Sequence, residues 1–170
     1  MKLLLHMCCA PCAVFPVSVL KEENITLEGL FYNPNIHPLE EFNRRRENVI
    51  KFSDITNMPV HLMEDFQQQT WENFKGAEDQ RCQMCYSLRL DKTASFARVN
   101  GFDAFTTSLL VSPYQKHDLI KELGEKYALQ YGLKFYYKDF RSGFRQGQQQ
   151  AKDLDLYRQK YCGCILSKKT

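Results

Sequence analysis

Residues 2–12, Lys2-Leu3-Leu4-Leu5-His6-Met7-Cys8-Cys9-Ala10-Pro11-Cys12, set an apolar run of strand length directly against a cysteine-rich turn. A run this short, ended by a turn signal, reads as a buried strand over Lys2 to His6. Cys8 to Cys12 is then the turn that leaves it. Ala13 through Glu23 reads as a helix, with Val14, Val17 and Leu20 spaced for one apolar face. Met1 to His6 imitates a signal peptide for a few residues only. Cysteines and Pro11 occupy the place of its hydrophobic region, so the stretch reads as a first core strand and not as a targeting segment.

The same alternation continues along the chain. A second strand spans Leu27 to Tyr32 and ends in the turn Asn33-Pro34-Asn35. Pro38 opens a long helix to Thr56, carrying Leu39, Phe42, Val49 and Phe52. Pro59 to Met63 supplies a third strand, and a short helix surrounds Trp71. Cys82 and Cys85 are read as opening a helix that Gly101 ends, before a fourth strand over Phe102 to Thr107. Lys116 to Tyr131 is an amphipathic helix closed by Gly132. A fifth strand over Lys134 to Tyr137 precedes a last helix from Gln146 to Tyr161, with Cys162-Gly163-Cys164 at its end. Strands alternating with helices predict a mostly parallel α/β sheet covered on both faces. Ligands are then expected beyond the carboxyl ends of the strands, where Cys8 and Cys9 fall. The 170 residues suit a single domain.

Seven cysteines are many for a chain without an export signal, and an odd count cannot pair fully within one chain. A cytoplasmic, reducing location is expected, and with it metal ligation or redox chemistry rather than structural disulfides. No apolar run reaches the roughly 18 residues of a membrane helix. The cysteines form three groups: Cys8, Cys9 and Cys12; Cys82 and Cys85; Cys162 and Cys164. Such groups suggest loops that converge in space.

Each group has more than one reading. Cys82-Gln83-Met84-Cys85 at a helix start would have its thiol pKa values lowered by free amides and the helix dipole, which suits a metal ligand or a redox dithiol. Cys8 and Cys9 would point to opposite faces of extended backbone, so they serve one centre only if the chain turns there. Two CxxC-type pairs, Cys9 with Cys12 and Cys82 with Cys85, are a zinc signature. A chain that already has a core has less need of a zinc staple, and a four-cysteine iron–sulfur cluster needs no regular spacing. Cys162-Gly163-Cys164 would close a small, strained and therefore labile disulfide, or would complete a metal site.

Other signals are weaker. The formal charge of +3 says little, but Arg44-Arg45-Arg46, Arg81, Arg89, Arg141, Arg145, Lys168 and Lys169 could contact phosphate. No Walker A or Gly-x-Gly-x-x-Gly loop is present. His6 reads as a core residue, and Glu78 and Asp79 as solvating a helix start.

Together His6-Met7-Cys8-Cys9-Ala10-Pro11-Cys12, Cys82-Gln83-Met84-Cys85-Tyr86-Ser87-Leu88-Arg89-Leu90, Thr106-Thr107-Ser108-Leu109 and Tyr161-Cys162-Gly163-Cys164 resemble the epoxyqueuosine reductases of the QueH type, over nearly the whole chain. The resemblance implies a Rossmann-like, adenine-nucleotide-hydrolase-like (HUP) α/β domain. It implies reduction of the epoxide of epoxyqueuosine in tRNA, the final step of queuosine biosynthesis, with a [4Fe-4S] cluster and without cobalamin. By the same resemblance Cys8, Cys9, Cys82 and Cys85 are the cluster ligands, and Cys162 and Cys164 the redox-active pair. Cys12 is the undecided member, a candidate to help hold a second, mononuclear iron. Cys8-Cys9-Ala10-Pro11 replaces the Ser-Gly-Gly-type phosphate loop of nucleotide-binding relatives, which argues against ATP use. The implied partners are the tRNA anticodon stem-loop and an external electron donor, with no membrane. A zinc-stapled RNA-binding module and a protein thiol–disulfide oxidoreductase are the alternatives that cysteine spacing leaves open.

Overall fold

The computed structural model describes residues 1–168, so Lys169 of the basic tail lies outside the described residues. Lys2–His6 forms β1, and Leu3, Leu4 and Leu5 are all fully buried. Consecutive enclosed leucines require cover on both faces of the strand, the condition of a parallel sheet between helices. Strands β2 (Thr26–Phe31), β3 (Val60–Leu62), β4 (Ala104–Thr107) and β5 (Lys134–Phe135) complete a five-stranded sheet of order β3-β2-β1-β4-β5. Every pairing is parallel.

Helix α1 (Ala10–Glu22) joins β1 to β2, and α2 (Leu39–Thr56) joins β2 to β3. The short α3 (Gln68–Glu72) and long α4 (Glu78–Val99) lead to β4, α5 (His117–Tyr131) leads to β5, and α6 (Phe144–Asp153) follows. Strand order runs outward both ways from β1. Right-handed crossovers then place α1 and α2 on one face and α4 and α5 on the other. Accordingly α1 packs on α2 and α4 packs on α5, while α6, which follows the last strand, returns to α1. The order reverses between β1 and β4, so the crevice for a ligand opens beyond the ends of those two strands. Cys8 stands two residues beyond β1, and Ser108 directly follows β4.

Buried polar groups lock this junction. The His6 ring, fully enclosed, bonds the Tyr32 carbonyl through Nε2 and Thr107 Oγ1 through Nδ1, each at 3.0 Å. Burial first, and then the nearby Arg89 charge, lower its pKa to about 4, so it is a neutral core residue, as its place on a strand suggested.

Strand ends and the start of the last helix shift by one or two residues from those read in the sequence, and three helix boundaries move further or bear on the cysteines. Helix α1 starts at Ala10, with Cys9 extended as its N-cap (φ −167°, ψ 168°), so Cys12 sits in the first helical turn and not in a loop. Helix α4 starts at Glu78, with Gln80 Oε1 accepting the Ala77 N–H at 3.0 Å, one turn before Cys82. The last helix stops at Asp153 instead of Tyr161, because Asp155 turns left-handed (φ +57°) and the Leu156 N–H bonds back to the Ala151 carbonyl at 2.9 Å.

Gly124 tests the fit of α5 on β5. Inside a helix, glycine costs about 1 kcal/mol relative to alanine. An added Cβ here would meet three atoms of the Phe135 ring at 2.5–2.6 Å. Overpacking of about 1–3 kcal/mol exceeds the propensity gain. Gly124→Ala should therefore lower the urea midpoint, by up to about 2 kcal/mol in stability. A raised midpoint would mean that the ring steps aside.

Candidate metal centre

The junction of β1 and α1 gathers three sulfurs. Cys8, Cys9 and Cys12 hold their Sγ atoms within 4.8 Å of one another, and those of Cys8 and Cys9 lie 3.9 Å apart. The adjacent pair can converge because the chain turns from strand to helix between them. A metal–thiolate bond near 2.3 Å in tetrahedral geometry separates two sulfurs by about 3.8 Å. The spacing suits ligation of one ion.

Polar groups surround these sulfurs. Ser108 Oγ accepts the Cys8 N–H at 3.1 Å and lies 3.2 Å from Cys8 Sγ. Gln159 Nε2 donates to Cys9 Sγ at 2.9 Å and to Cys12 Sγ at 3.5 Å. Hydrogen bonding with Cys12, and then with Cys9, holds the Cys8 thiol well below the usual range. Burial pushes Cys9 up, and the bonds to Cys8 and Cys9 push Cys12 up.

Helix α4 carries the second group. Cys85 is buried against Trp71 and Cys164. Both α4 thiols are pushed up by burial, contrary to the expected lowering at a helix start. The free amides belong to the turn that begins at Glu78, so they do not reach Cys82 or Cys85. Arg89, one turn beyond Cys85 and 4% exposed, donates from Nη2 to Cys85 Sγ at 3.2 Å and from Nε to the Cys85 carbonyl at 3.3 Å. Among the described residues no carboxylate lies within ion-pair distance of Arg89. The countercharge offered to this buried cation is sulfur.

The third group is held by α2. Arg45, 2% exposed, donates from Nε to Glu41 at 2.9 Å, from Nη1 to the Cys162 carbonyl at 3.0 Å and from Nη2 to the Tyr161 carbonyl at 2.8 Å. Asn48 bonds both the N–H and the carbonyl of Tyr157, whose hydroxyl donates to Glu41 at 2.6 Å. His37 accepts the Ile165 N–H on Nδ1 at 3.1 Å, and its backbone N–H donates to the Gly163 carbonyl at 2.8 Å. Gly163 adopts φ +122°, and an added Cβ would press on Arg45 Nη1 and Ile36 Cγ1, each at 3.1 Å. Cys162 and Cys164 therefore lie in an irregular segment and not at a helix end. Cys162 is exposed, Cys164 is buried, and all seven cysteines are free.

One cavity of about 440 Å³ joins the groups, with Cys8, Cys12, Cys82 and Cys162 in its wall. Cys82 also borders a second recess with Cys85, Cys162 and Cys164. The structure thus brings Cys8 and Cys12 to one cavity with Cys82 and Cys162, sets Cys85 and Cys164 on the recess beside it, and keeps Cys9 with Cys8 and Cys12.

The arginines read as phosphate contacts divide sharply. Arg45 and Arg89 are buried in the framework. Arg46 pairs with Glu64 at 2.6 Å, and Arg141 forms a two-bond fork with Asp139. Arg44 is half exposed, 3.5 Å from Glu40, and stacks over Tyr157. Sequence reading missed Arg45, Asn48, His37 and Gln159 as supports of the site. The one signal available was the i, i+4 spacing of Glu41 and Arg45.

The donors suit a metal held by thiolates. They are sulfur throughout, Arg89 supplies positive charge beside Cys85, and the buried Trp71 indole N–H favours the Cys85 thiolate while making no close hydrogen bond among the described residues.

Comparison with known proteins agrees over the whole chain. The family model described as epoxyqueuosine reductase QueH matches residues 3–170. An epoxyqueuosine reductase QueH of Dehalococcoides mccartyi is 38% identical, over 98% of this chain and 92% of that protein. One of Histophilus somni is 36% identical, over 98% of this chain and 72% of that protein. Among solved structures, a deacetylase complex from the teicoplanin biosynthesis pathway superposes with a TM-score of 0.56 at 9% identity, covering 91% of this chain and 83% of the other, a likeness of fold alone. With its cysteine groups assembled at one cavity and this match from end to end, the chain belongs to the QueH epoxyqueuosine reductase family.

Proposed function

We propose that this protein reduces the epoxide of epoxyqueuosine in the tRNA anticodon stem-loop, giving queuosine. The observation that carries the reading is the convergence of three sequence-distant cysteine groups on one cavity at the divergence of β1 and β4. On this reading the chain is a single domain of the Rossmann-like, HUP type and works in the cytoplasm without cobalamin. Cys8, Cys9, Cys82 and Cys85 hold a [4Fe-4S] cluster, and Cys12 stands at a second, mononuclear iron. Among the described residues no helix is long and apolar enough to cross a membrane.

Removing an epoxide oxygen to leave an alkene consumes two electrons and two protons and releases water. Oxidation of the Cys162 and Cys164 thiols to a disulfide supplies both electrons and both protons. The two carbon–oxygen bonds break, the oxygen leaves as water, and the sulfur–sulfur bond forms. An external electron donor then returns the thiols. When bound, an iron–sulfur centre supplies one-electron transfer and an iron able to polarise the oxygen. The chain itself presents Cys162 to the cavity and to solvent, and keeps Cys164 against Cys85. Arg45 fixes the backbone of this segment through two carbonyls.

The short spacing of Cys8, Cys9 and Cys12 favours a second partition of the ligands. In it those three thiols share one iron, and Cys82, Cys85, Cys162 and Cys164 hold the cluster.

Anaerobic preparation with iron and sulfide analysis separates these readings. A cluster on Cys8, Cys9, Cys82 and Cys85 survives Cys162→Ser and Cys164→Ser with its sulfide content intact. Sulfide lost with either variant selects the second partition, and stoichiometric zinc in colourless protein refutes both. On the first reading Cys162→Ser abolishes repeated turnover of an epoxyqueuosine stem-loop; sustained wild-type turnover would remove the thiol pair from the mechanism.

Arg45 should behave as a positioning residue. Arg45→Gln is expected to lower kcat on the order of 10- to 100-fold, since misplacement of a reacting group carries a penalty of that size. The slope of stem-loop affinity against salt should stay unchanged, because a buried arginine releases no counterions. A flattened slope would instead make Arg45 a phosphate contact.

A further inference from the structure

The mouth of the cysteine cavity carries an aromatic pair that the chemistry above does not use. Tyr114 is 84% exposed, and the Phe144 ring stands edge-on to it at 5.8 Å and 83°. Both residues line the cavity whose wall holds Cys8, Cys12, Cys82 and Cys162. Two other apolar residues are as exposed, Val99 and Leu129, but they sit on helices α4 and α5 and do not line this cavity. Isolated exposed residues of that kind are ordinary. A paired aromatic on the lining of a cysteine cavity is not.

The pair is held in place from below. Tyr114 donates its backbone N–H to Ser112 Oγ at 3.1 Å. The next two residues are tied to Tyr86, which follows Cys85 on α4: the Tyr86 hydroxyl donates to Gln115 Oε1 at 2.6 Å and accepts the Lys116 N–H at 3.2 Å. Phe144 starts α6 immediately after Gly143, where an added Cβ would strike the Phe15 ring at 2.2 Å. Both rings are thereby referenced to the helices that carry the cysteines. On the same cavity Lys160 forms no ion pair among the described residues, which leaves a cation for a phosphate.

An exposed flat ring, a cavity within the roughly 300–1,000 Å³ of ligand sites and a free cation are what an unstacked nucleotide requires. We propose that Tyr114, backed by Phe144, is the platform on which the base of the substrate nucleotide stacks while its epoxide-bearing ring enters the cysteine cavity. The inference rests on the function proposed above and adds the subsite that seats the base.

The test uses the metal-loaded protein and an anticodon stem-loop carrying epoxyqueuosine. Tyr114→Ala should raise Kd and KM about 5- to 100-fold, the loss typical of one base–aromatic stack. Its kcat at saturation should stay within about twofold of wild type, because the ring contributes binding and no chemistry. Tyr114→Trp should retain affinity, and its new indole, unlike the enclosed Trp71, should be quenched when the stem-loop binds. Wild-type Kd and KM in Tyr114→Ala, or an unquenched indole in a Tyr114→Trp protein that binds, would overturn the platform while leaving the reductase reading intact. A wild-type protein that neither binds nor reduces the stem-loop would overturn the platform and the reductase reading together.

Discussion

Arg45 lies enclosed between α2 and the segment that carries Cys162 and Cys164, with the Glu41 carboxylate beside one edge of its guanidinium and two backbone carbonyls at the other. Exposed ion pairs contribute roughly 0–1 kcal/mol, but breaking a buried one by removing a partner costs about 3–5 kcal/mol. Three bonds from one planar fork match what arginine can do and lysine cannot. Gly163 belongs to the same device, since an added Cβ there would press on the Arg45 Nη1. Without this clasp the last cysteine group, more than a hundred residues from the first, would have little regular structure to bring it back. Asn48 and His37 extend the hold to Tyr157 on one side and Ile165 on the other.

Charge balance explains how a small protein tolerates two enclosed guanidiniums near one cavity. Arg45 is matched by Glu41. Arg89 has sulfur, with the Cys85 thiol at 3.2 Å and the Cys8 charge acting at longer range. Burial is the largest influence on Arg89 and opposes its charge; Cys85, Cys8, Tyr86 and Cys162 together outweigh it. Burial likewise pushes the Cys85 thiol up, with Arg89 as the strongest opposing influence. Each group makes the charged form of the other tolerable, an arrangement suited to a site that must carry net negative charge when its sulfurs ligate metal.

Much of this was legible in the sequence, and what was not has physical causes. Leu3-Leu4-Leu5 announced a strand covered on both sides, and the helical spacing from Ile120 to Tyr131 with Gly132 behind it located α5. The Arg44-Arg45-Arg46 triplet misled because consecutive residues look equivalent in sequence while a helix turns each about 100° from the last. One arginine therefore faces solvent, one is buried on Glu41 and one reaches Glu64. The end of α6 was illegible because no glycine or proline marks it; Asp155 takes the left-handed turn instead. The place of Cys12 depended on where α1 begins, and helix ends are the least visible feature of a sequence. Once Cys9 is the N-cap, Cys12 comes round one turn later to join Cys8 and Cys9.

The two members of the last group face different surroundings. Cys8, Cys9, Cys12, Cys82 and Cys85 stand on the β1–α1 junction and on α4, both anchored in the core. Cys162 and Cys164 stand on a segment held by polar bonds, and the glycine between them turns one outward and the other inward. Cys162 is reachable from solvent, while Cys164 packs on Trp71 and Cys85. Under the proposed chemistry, that division suits a thiol pair that must be restored by a donor from outside while it serves a reaction inside. An external thiol attacks the accessible sulfur of a disulfide most readily, and a strained link across a single residue makes that attack easier. A pair buried entirely beside Cys85 would be shielded from the donor, and one exposed entirely would have lost its contact with the metal ligands. Gly163, required by Arg45 for want of space, is also the residue that allows both orientations within one short turn.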